Sequence, residues 1–312
     1  MLDGLEGLDE AVELEDIDLD DTGETKAPKN DKIALIDADT IAFAACLSTE
    51  EEIDMLPREF YSDEEWENIL NNPTYIEDKG VYYEIDTLQA LAKAEDKIQR
   101  ILDKTGCLTA ELWFTGGKGN FRYTVKSDYK ANRVGKHTPA GLKEVKELLL
   151  ERYDGDIATD YEADDIVVYK KVQEPDKYIM CAIDKDVYNS VPGIHFNYYE
   201  SSHYNKEMKF IEVSNETALL WPYLQTILGD TTDNIQGCKG IGPKIAIKFV
   251  NEGMTEQEMW EGVVKAYESK GMTSIDAVIT MNLVNMHLLK MVDGELQIVL
   301  WHPSQLEGED NE

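Results

Sequence analysis

Two apolar runs of strand type stop on aspartates, and that coincidence narrows the folds open to this chain. Lys32-Ile33-Ala34-Leu35-Ile36 reads as a buried strand with Asp37 and Asp39 at its C-terminal end. Lys177-Tyr178-Ile179-Met180-Cys181-Ala182-Ile183 reads the same way and runs into Asp184-Lys185-Asp186. Glu111 to Thr115 is a further strand, and His195 to Tyr199 a short one. Helical patterns lie between them: Thr40 to Leu47, and the stripe Leu88, Leu91, Ala92, Ile98, Ile101, Leu102, which Gly106 ends. Strand and helix in alternation predict a parallel α/β sheet flanked by helices. Ligands of open parallel sheets sit beyond the carboxyl ends of the strands, where these aspartates stand.

Two more acidic clusters punctuate helices. Tyr161-Glu162-Ala163-Asp164-Asp165 opens an apolar helical run, and Gly229-Asp230-Thr231-Thr232-Asp233-Asn234 ends the helix Trp221 to Leu228. With 63 Asp and Glu in 312 residues, one such cluster is close to what composition alone delivers. Recurrence at element ends is the stronger signal. Asp37, Glu162, Asp164, Asp165, Asp184, Asp186, Asp230 and Asp233 would repel one another strongly if they met at one point without cations. Hard divalent ions prefer carboxylate oxygens, and a pair of Mg²⁺ ions in such a nest is a device for phosphodiester hydrolysis.

The formal charge of -33 argues against a generally basic, nucleic-acid-coating surface but leaves room for a local groove. One basic island exists. Lys118, Arg122, Lys126, Lys130, Arg133 and Lys136 surround a single acidic residue, Asp128, with Phe121, Tyr123 and Tyr129 interleaved. That mixture suits phosphate contact with base or sugar stacking. Thr138-Pro139 then opens a helix through Leu150. Further on, Gly237-Cys238-Lys239-Gly240-Ile241-Gly242-Pro243-Lys244 puts a glycine turn before a helix that also carries Lys248, a phosphate cradle in physical terms. It lacks the Gly-Lys-Ser/Thr ending of a nucleotide-binding P-loop. Four scattered cysteines and five dispersed histidines argue for reduced thiols and against a zinc enzyme. No apolar run approaches the ~20 residues that cross a bilayer. The expectation is a cytoplasmic protein (host cytoplasm if phage-encoded) with no membrane partner. The first 30 residues read as a disordered acidic tail, a docking segment for a basic protein partner.

These motifs, in this order, resemble the flap endonuclease family: the 5′-nuclease domain of bacterial DNA polymerase I and the stand-alone 5′-3′ exonucleases of phages. The resemblance rests on Ile36-Asp37-Ala38-Asp39, Tyr129-Lys130-Ala131-Asn132-Arg133, Glu162-Ala163-Asp164-Asp165, Asp184-Lys185-Asp186, the 229–234 turn and Gly240-Ile241-Gly242-Pro243-Lys244. It implies a PIN-like sheet with a short helical arch and a helix-hairpin-helix (H3TH) element for duplex DNA. It further implies two Mg²⁺ ions, with Mn²⁺ as a substitute, and a K⁺ ion at the hairpin. Asp37, Glu162, Asp164 and Asp165 would hold or support the first metal, and Asp184, Asp186, Asp230 and Asp233 the second. Lys130 and Arg133 would clamp the scissile phosphate, and Tyr129 would stack on a terminal base. Lys118, Arg122, Lys126, Lys136, Lys239, Gly240, Gly242, Lys244 and Lys248 would meet DNA carrying a duplex region and a 5′ end or flap, RNA–DNA hybrids included.

The implied organisation is an acidic tail (1–30), a nuclease core (31–212) with a surface insertion (49–84) and a basic arch region (118–150), a hairpin region (213–270), C-terminal helices and a strand packed on the core (271–305), and a second acidic tail (306–312). One departure stands out. The family has an aspartate after the strand matching Glu111–Thr115, where this chain has Gly116-Gly117-Lys118, and Asp39 or a water is the candidate to replace it. That gap keeps two rivals open, an inactive junction-binding protein and a PIN-like ribonuclease.

Overall fold

A computed structural model describes residue 27 and residues 29–306, apart from 73, 78 and 118. The expectations for the N-terminal tail, for Lys118 and for the acidic tail beyond 306 therefore lie outside the described residues.

A six-stranded sheet forms the centre. In chain order its strands are β1 (Asn30–Asp37), β4 (Cys107–Thr115), β5 (Asp154–Ala158), β6 (Tyr178–Cys181), β7 (Gly193–Asn197) and β8 (Lys209–Val213), and in space they run β5-β4-β1-β6-β7-β8. All neighbours are parallel except β8, which is antiparallel to β7. β1 is central because it is apolar on both faces. Ala34 and Ile36 pack with α1 (Asp39–Leu47), α3 (Thr87–Thr105) and α5 (Leu142–Leu150), while Leu35 faces Val167 and Val168 of α6 (Ala163–Gln173). Helix α3 follows its stripe closely. The Asp86 side chain accepts from the Gln89 N–H at one end, and Gly106, at φ 73, closes the other in the left-handed region.

The 49–84 insertion contains a hairpin of β2 (Glu50–Asp54) and β3 (Val81–Ile85) with α2 (Asp63–Leu70) between them. The basic segment after β4 carries the single turn α4 (Arg122–Val125) and a 3₁₀ turn (Ala131–Arg133). Helix α5 begins at Leu142 rather than at Thr138, because Gly141 sits at φ 68, which a helix interior does not admit.

A second cluster lies around α8 (Asn215–Leu228), α9 (Pro243–Ala246), α10 (Glu256–Glu268) and α11 (Ser274–Val284). Trp221, Trp260, Tyr267 and Trp301 are buried in it, Trp260 edge-on to Trp301 at 4.6 Å. Between α8 and α9 run the two-residue strands β9 (Gly229–Asp230) and β10 (Ile235–Gln236), whose turn carries Asp233. The one-turn helix α7 (Lys185–Tyr188) follows β6, and β11 (Leu289–Val292) with β12 (Glu295–Ile298) closes the described chain.

Candidate active site

The parallel strands bring their carboxyl ends to one edge, and four segments converge there. β1 ends on Asp37, the N-terminus of α6 carries Glu162 and Asp164, the start of α7 carries Asp184 and Asp186, and the β9–β10 turn carries Asp230 and Asp233. Glu162, Asp164, Asp184, Asp186, Asp230 and Asp233 line a common cleft with Tyr129 and Gln225. Asp37 is buried beside Asp164. Tyr198 fixes the end of β1 by donating to the Asp37 carbonyl at 2.5 Å.

Burial and mutual repulsion disfavour the charged forms of these carboxyl groups. Burial first, then the charge of Asp39, pushes Asp37 up to about 7. Asp164 is held well above the carboxylate range by burial and then by Asp37 and Asp184. Asp184 is raised by desolvation in the cleft, and Asp186 is pushed up to about 7 by burial and then by Asp184. Gln225 donates its amide to Asp186, and the backbone N–H groups of Asp186 and Thr232 donate at 2.8 Å to Asp184 and Asp230.

An all-oxygen donor set in which Asp37, Asp164, Asp184 and Asp186 are disfavoured as anions fits a hard divalent cation, which would offset that cost. As they stand, no three or more His, Cys, Asp or Glu side chains among the described residues form a finished ion cage. Two of the carboxylates instead engage protein cations. Glu162 Oε1 lies 2.6 Å from Lys130 Nζ, and Oε2 accepts from the Tyr129 hydroxyl at 2.8 Å. Asp233 pairs with Arg133 and lies 3.4 Å from Lys130 Nζ. Against the burial that acts on both, Arg122 and then Lys130 hold Glu162 charged, while Glu162 and then Asp233 hold Lys130 charged.

Several sequence expectations need correction. Asp165 is 1% exposed, and Arg122 clasps both of its oxygens at 2.6 and 2.7 Å, while Oδ2 also caps the Glu162 N–H at 3.0 Å. It supports the N-terminus of α6 and does not face a metal. Arg122, 2% exposed with its Nε donating to the Leu283 carbonyl at 2.8 Å, is likewise closed to DNA. Tyr129 is 2% exposed, so its ring has no face free for a base. Asp39 does not replace the missing aspartate, because Lys146 takes one of its oxygens and the Thr115 N–H the other.

Of the expected DNA contacts, Lys136, Lys239, Gly240, Gly242, Lys244 and Lys248 are exposed, and Lys126 is half-buried, 3.4 Å from Asp128. Asn120, Lys146, Gln225 and Tyr198 position the carboxylates and were not singled out in the sequence. Lys146 carries a faint signal, a lysine within the apolar half of α5. The other three carry none.

No protein-family model matches the chain. The exodeoxyribonuclease of Enterobacteria phage T3 is 30% identical over 169 residues, 52% of this chain and 53% of the phage protein. Flap endonuclease Xni of Shewanella frigidimarina is 25% identical over 168 residues, 51% of this chain and 64% of that protein. Over about half of its length the chain is similar to these two nucleases. The matches span about half of the phage protein, under two thirds of Xni and 22% of the DNA polymerase I of Streptococcus pneumoniae, which is 28% identical over 201 residues, 52% of this chain. Among solved structures, the T5 D15 protein co-crystallised with metal ions aligns with 63% of this chain and 82% of its own, at a TM-score of 0.48 and 18% identity. The catalytic core of Rad2 in complex with DNA substrate aligns with 89% and 85%, at 0.46 and 13%. Among the described residues no helix is long and apolar enough to cross a membrane.

Proposed function

We propose that the chain is a Mg²⁺-dependent 5′-nuclease, a 5′-3′ exonuclease and flap endonuclease acting on DNA with a duplex region near the cut, RNA–DNA hybrids included. The observation that carries this reading is the convergence of Glu162, Asp164, Asp184, Asp186, Asp230 and Asp233 on one cleft at the strand-end edge, beside buried Asp37, in a chain similar to an exodeoxyribonuclease. Asp37, Glu162, Asp164, Asp184, Asp186, Asp230 and Asp233 are the residues that would hold the ions, with Mn²⁺ able to replace Mg²⁺. When bound, such ions supply an activated water and charge stabilisation for the leaving oxygen.

The rest falls to the chain itself. Lys130 and Arg133 offer the scissile phosphate two fixed positive groups. Gln225 orients Asp186, and the Arg122–Asp165 pair holds the N-terminus of α6, and with it Asp164, in place. Exposed Lys239, Lys244 and Lys248 contact backbone phosphates of the duplex next to the cut, with Gly240, at φ 75, letting the turn come close.

The position after β4 without a carboxylate favours one second reading, a junction-binding protein without catalysis. Cleavage of an end-labelled 5′ flap with and without Mg²⁺ decides. Mg²⁺-dependent release of short 5′ products is the expected result. Tight flap binding with no cutting in Mg²⁺ or Mn²⁺ would establish the binder, and cutting confined to single-stranded RNA would establish a ribonuclease.

A further inference from the structure

We infer that Lys130 acts a second time, as the counter-ion that holds Glu162 and Asp233 together in the DNA-free protein, and that it must move off them before they help to bind a divalent cation. The inference rests on the metal-dependent reading above and adds a coupling between its two ligands. The geometry is specific. Lys130 Nζ lies 2.6 Å from Glu162 Oε1 and 3.4 Å from Asp233 Oδ2, with the lysine side chain 16% exposed. The neighbouring Tyr129 hydroxyl meets the same two carboxylates, at 2.8 Å from Glu162 Oε2 and 3.0 Å from Asp233 Oδ2.

Consecutive side chains rarely converge on one pair of groups. They do so here because Lys130 sits at φ 54, anchored by its own N–H, which donates to the Asp233 carbonyl at 2.9 Å. A phenol has one proton and satisfies one of the two carboxylates, so the ammonium beside them supplies the charge that keeps the other in place. Arg133 pairs with Asp233 and Arg122 with Glu162, so among the described residues Lys130 is the cation that bridges the start of α6 and the β9–β10 turn.

The same ammonium cannot serve the two carboxylates and a DNA phosphate equally well. When phosphate draws it away, Glu162 keeps only Arg122, at 3.7 Å, and Asp233 only Arg133, so the two anions lose positive charge and their affinity for a cation rises. When a cation takes the carboxylates, Lys130 is released toward phosphate. Metal and DNA therefore bind with positive coupling through one side chain, and that coupling is reciprocal. A lysine held away from the two carboxylates would leave metal affinity in the DNA-free protein nearly unchanged.

The test needs no catalysis. Free Mn²⁺ is followed by electron paramagnetic resonance during titration of the DNA-free full chain, its Lys130→Met variant, and an Asp184→Asn control. Lys130→Met is expected to bind Mn²⁺ about tenfold more tightly than the parent, equivalent to about 1.4 kcal/mol. A parent that binds Mn²⁺ while Lys130→Met binds no tighter overturns the inference and leaves the metal reading standing. A parent with no binding that Asp184→Asn weakens overturns both. If Lys130→Met loses its fold by circular dichroism, the parent answers the question. Acetylation of the Lys130 amine, mapped by mass spectrometry, should speed up severalfold when Ca²⁺ is added, and an unchanged rate refutes the displacement.

Discussion

The backbone N–H of Thr115 donates to Asp39 Oδ2 at 2.9 Å, and Lys146 holds the other oxygen of the same carboxylate at 2.5 Å. Asp39 is thereby a strut between the end of β4 and the first turn of α1, with Lys146 also bonded to the Thr115 carbonyl at 3.1 Å. The place where the resemblance calls for an aspartate thus keeps no carboxylate, and the neighbouring Asp39 is already committed.

That arrangement separates two substitutions that look alike in sequence. A Cβ on Gly116 would meet the Ala158 carbonyl oxygen at 2.7 Å, whereas a Cβ on Gly117 has nothing within 4 Å. Gly116→Asp should destabilise the protein by about 1–3 kcal/mol through backbone displacement. Gly117→Asp should fold normally and lower the Mg²⁺ needed for half-maximal flap cleavage a few-fold. Thermal melts and Mg²⁺ titrations of both variants check this, and a higher Mg²⁺ requirement for Gly117→Asp counts against it.

Asp186→Asn should lower cleavage by orders of magnitude and leave the fold intact. The Gln225 amide can still donate to the asparagine oxygen, and the substitution removes a charge that burial and Asp184 already disfavour. Single-turnover rates alongside melting temperatures separate the two effects. Turnover near that of the parent would remove Asp186 from the metal set.

Much of this site was legible because its carboxylates sit where element patterns end, and patterns survive in a single sequence. β1 and β6 are apolar on both faces, so their ends at Asp37 and before Asp184 were readable. β5 was not. It is an edge strand with the sequence Asp154-Gly155-Asp156-Ile157-Ala158, with no alternation and few apolar residues, held by a glycine whose Cβ would fall 1.8 Å from the Leu112 carbonyl oxygen. Partnerships were equally invisible. Arg122 reads as a phosphate contact until its distance to Asp165, 43 positions away in sequence, makes it a buried clasp. Tyr129 reads as a stacking ring until its burial shows that the hydroxyl is the working group. Side-chain pairings across the fold leave no periodic trace.

Duplex binding should depend on the exposed lysines of the 237–248 segment despite the acidic chain. Lys244→Ala with Lys248→Ala should weaken affinity for a nicked duplex and flatten its salt dependence, since each lost phosphate contact removes about 0.9 from the slope of log K against log salt. Measurement in Ca²⁺ keeps the substrate whole. Equal slopes for parent and variant would place the duplex elsewhere.

Acid should act through a buried histidine close to the segment that carries Asp184 and Asp186. His195 is fully buried, its Nε2 facing the Val191 carbonyl at 2.6 Å, while its Nδ1 has no partner. His287 Nε2 meets the adjacent Ser190 carbonyl at 2.7 Å, and the Ser190 hydroxyl donates to the Asp186 carbonyl. Burial, reinforced by the charge of Lys171, pushes His195 down from 6.5 to about 4. A histidine depressed in the folded state contributes stability that is fully present above its unfolded pKa and is lost as pH falls from 6.5 toward 4. The loss amounts to roughly 3 kcal/mol at most. Asp37 and Asp186, raised to about 7, act in the opposite direction across the same window, so the parent curve alone does not isolate the histidine. The difference from His195→Gln does, because glutamine retains an amide donor for Val191 and does not titrate. Urea unfolding at about pH 7 and about pH 4.5 should show the parent losing a few kcal/mol relative to His195→Gln. Parallel losses in the two proteins would mean that His195 is protonated in the fold without penalty.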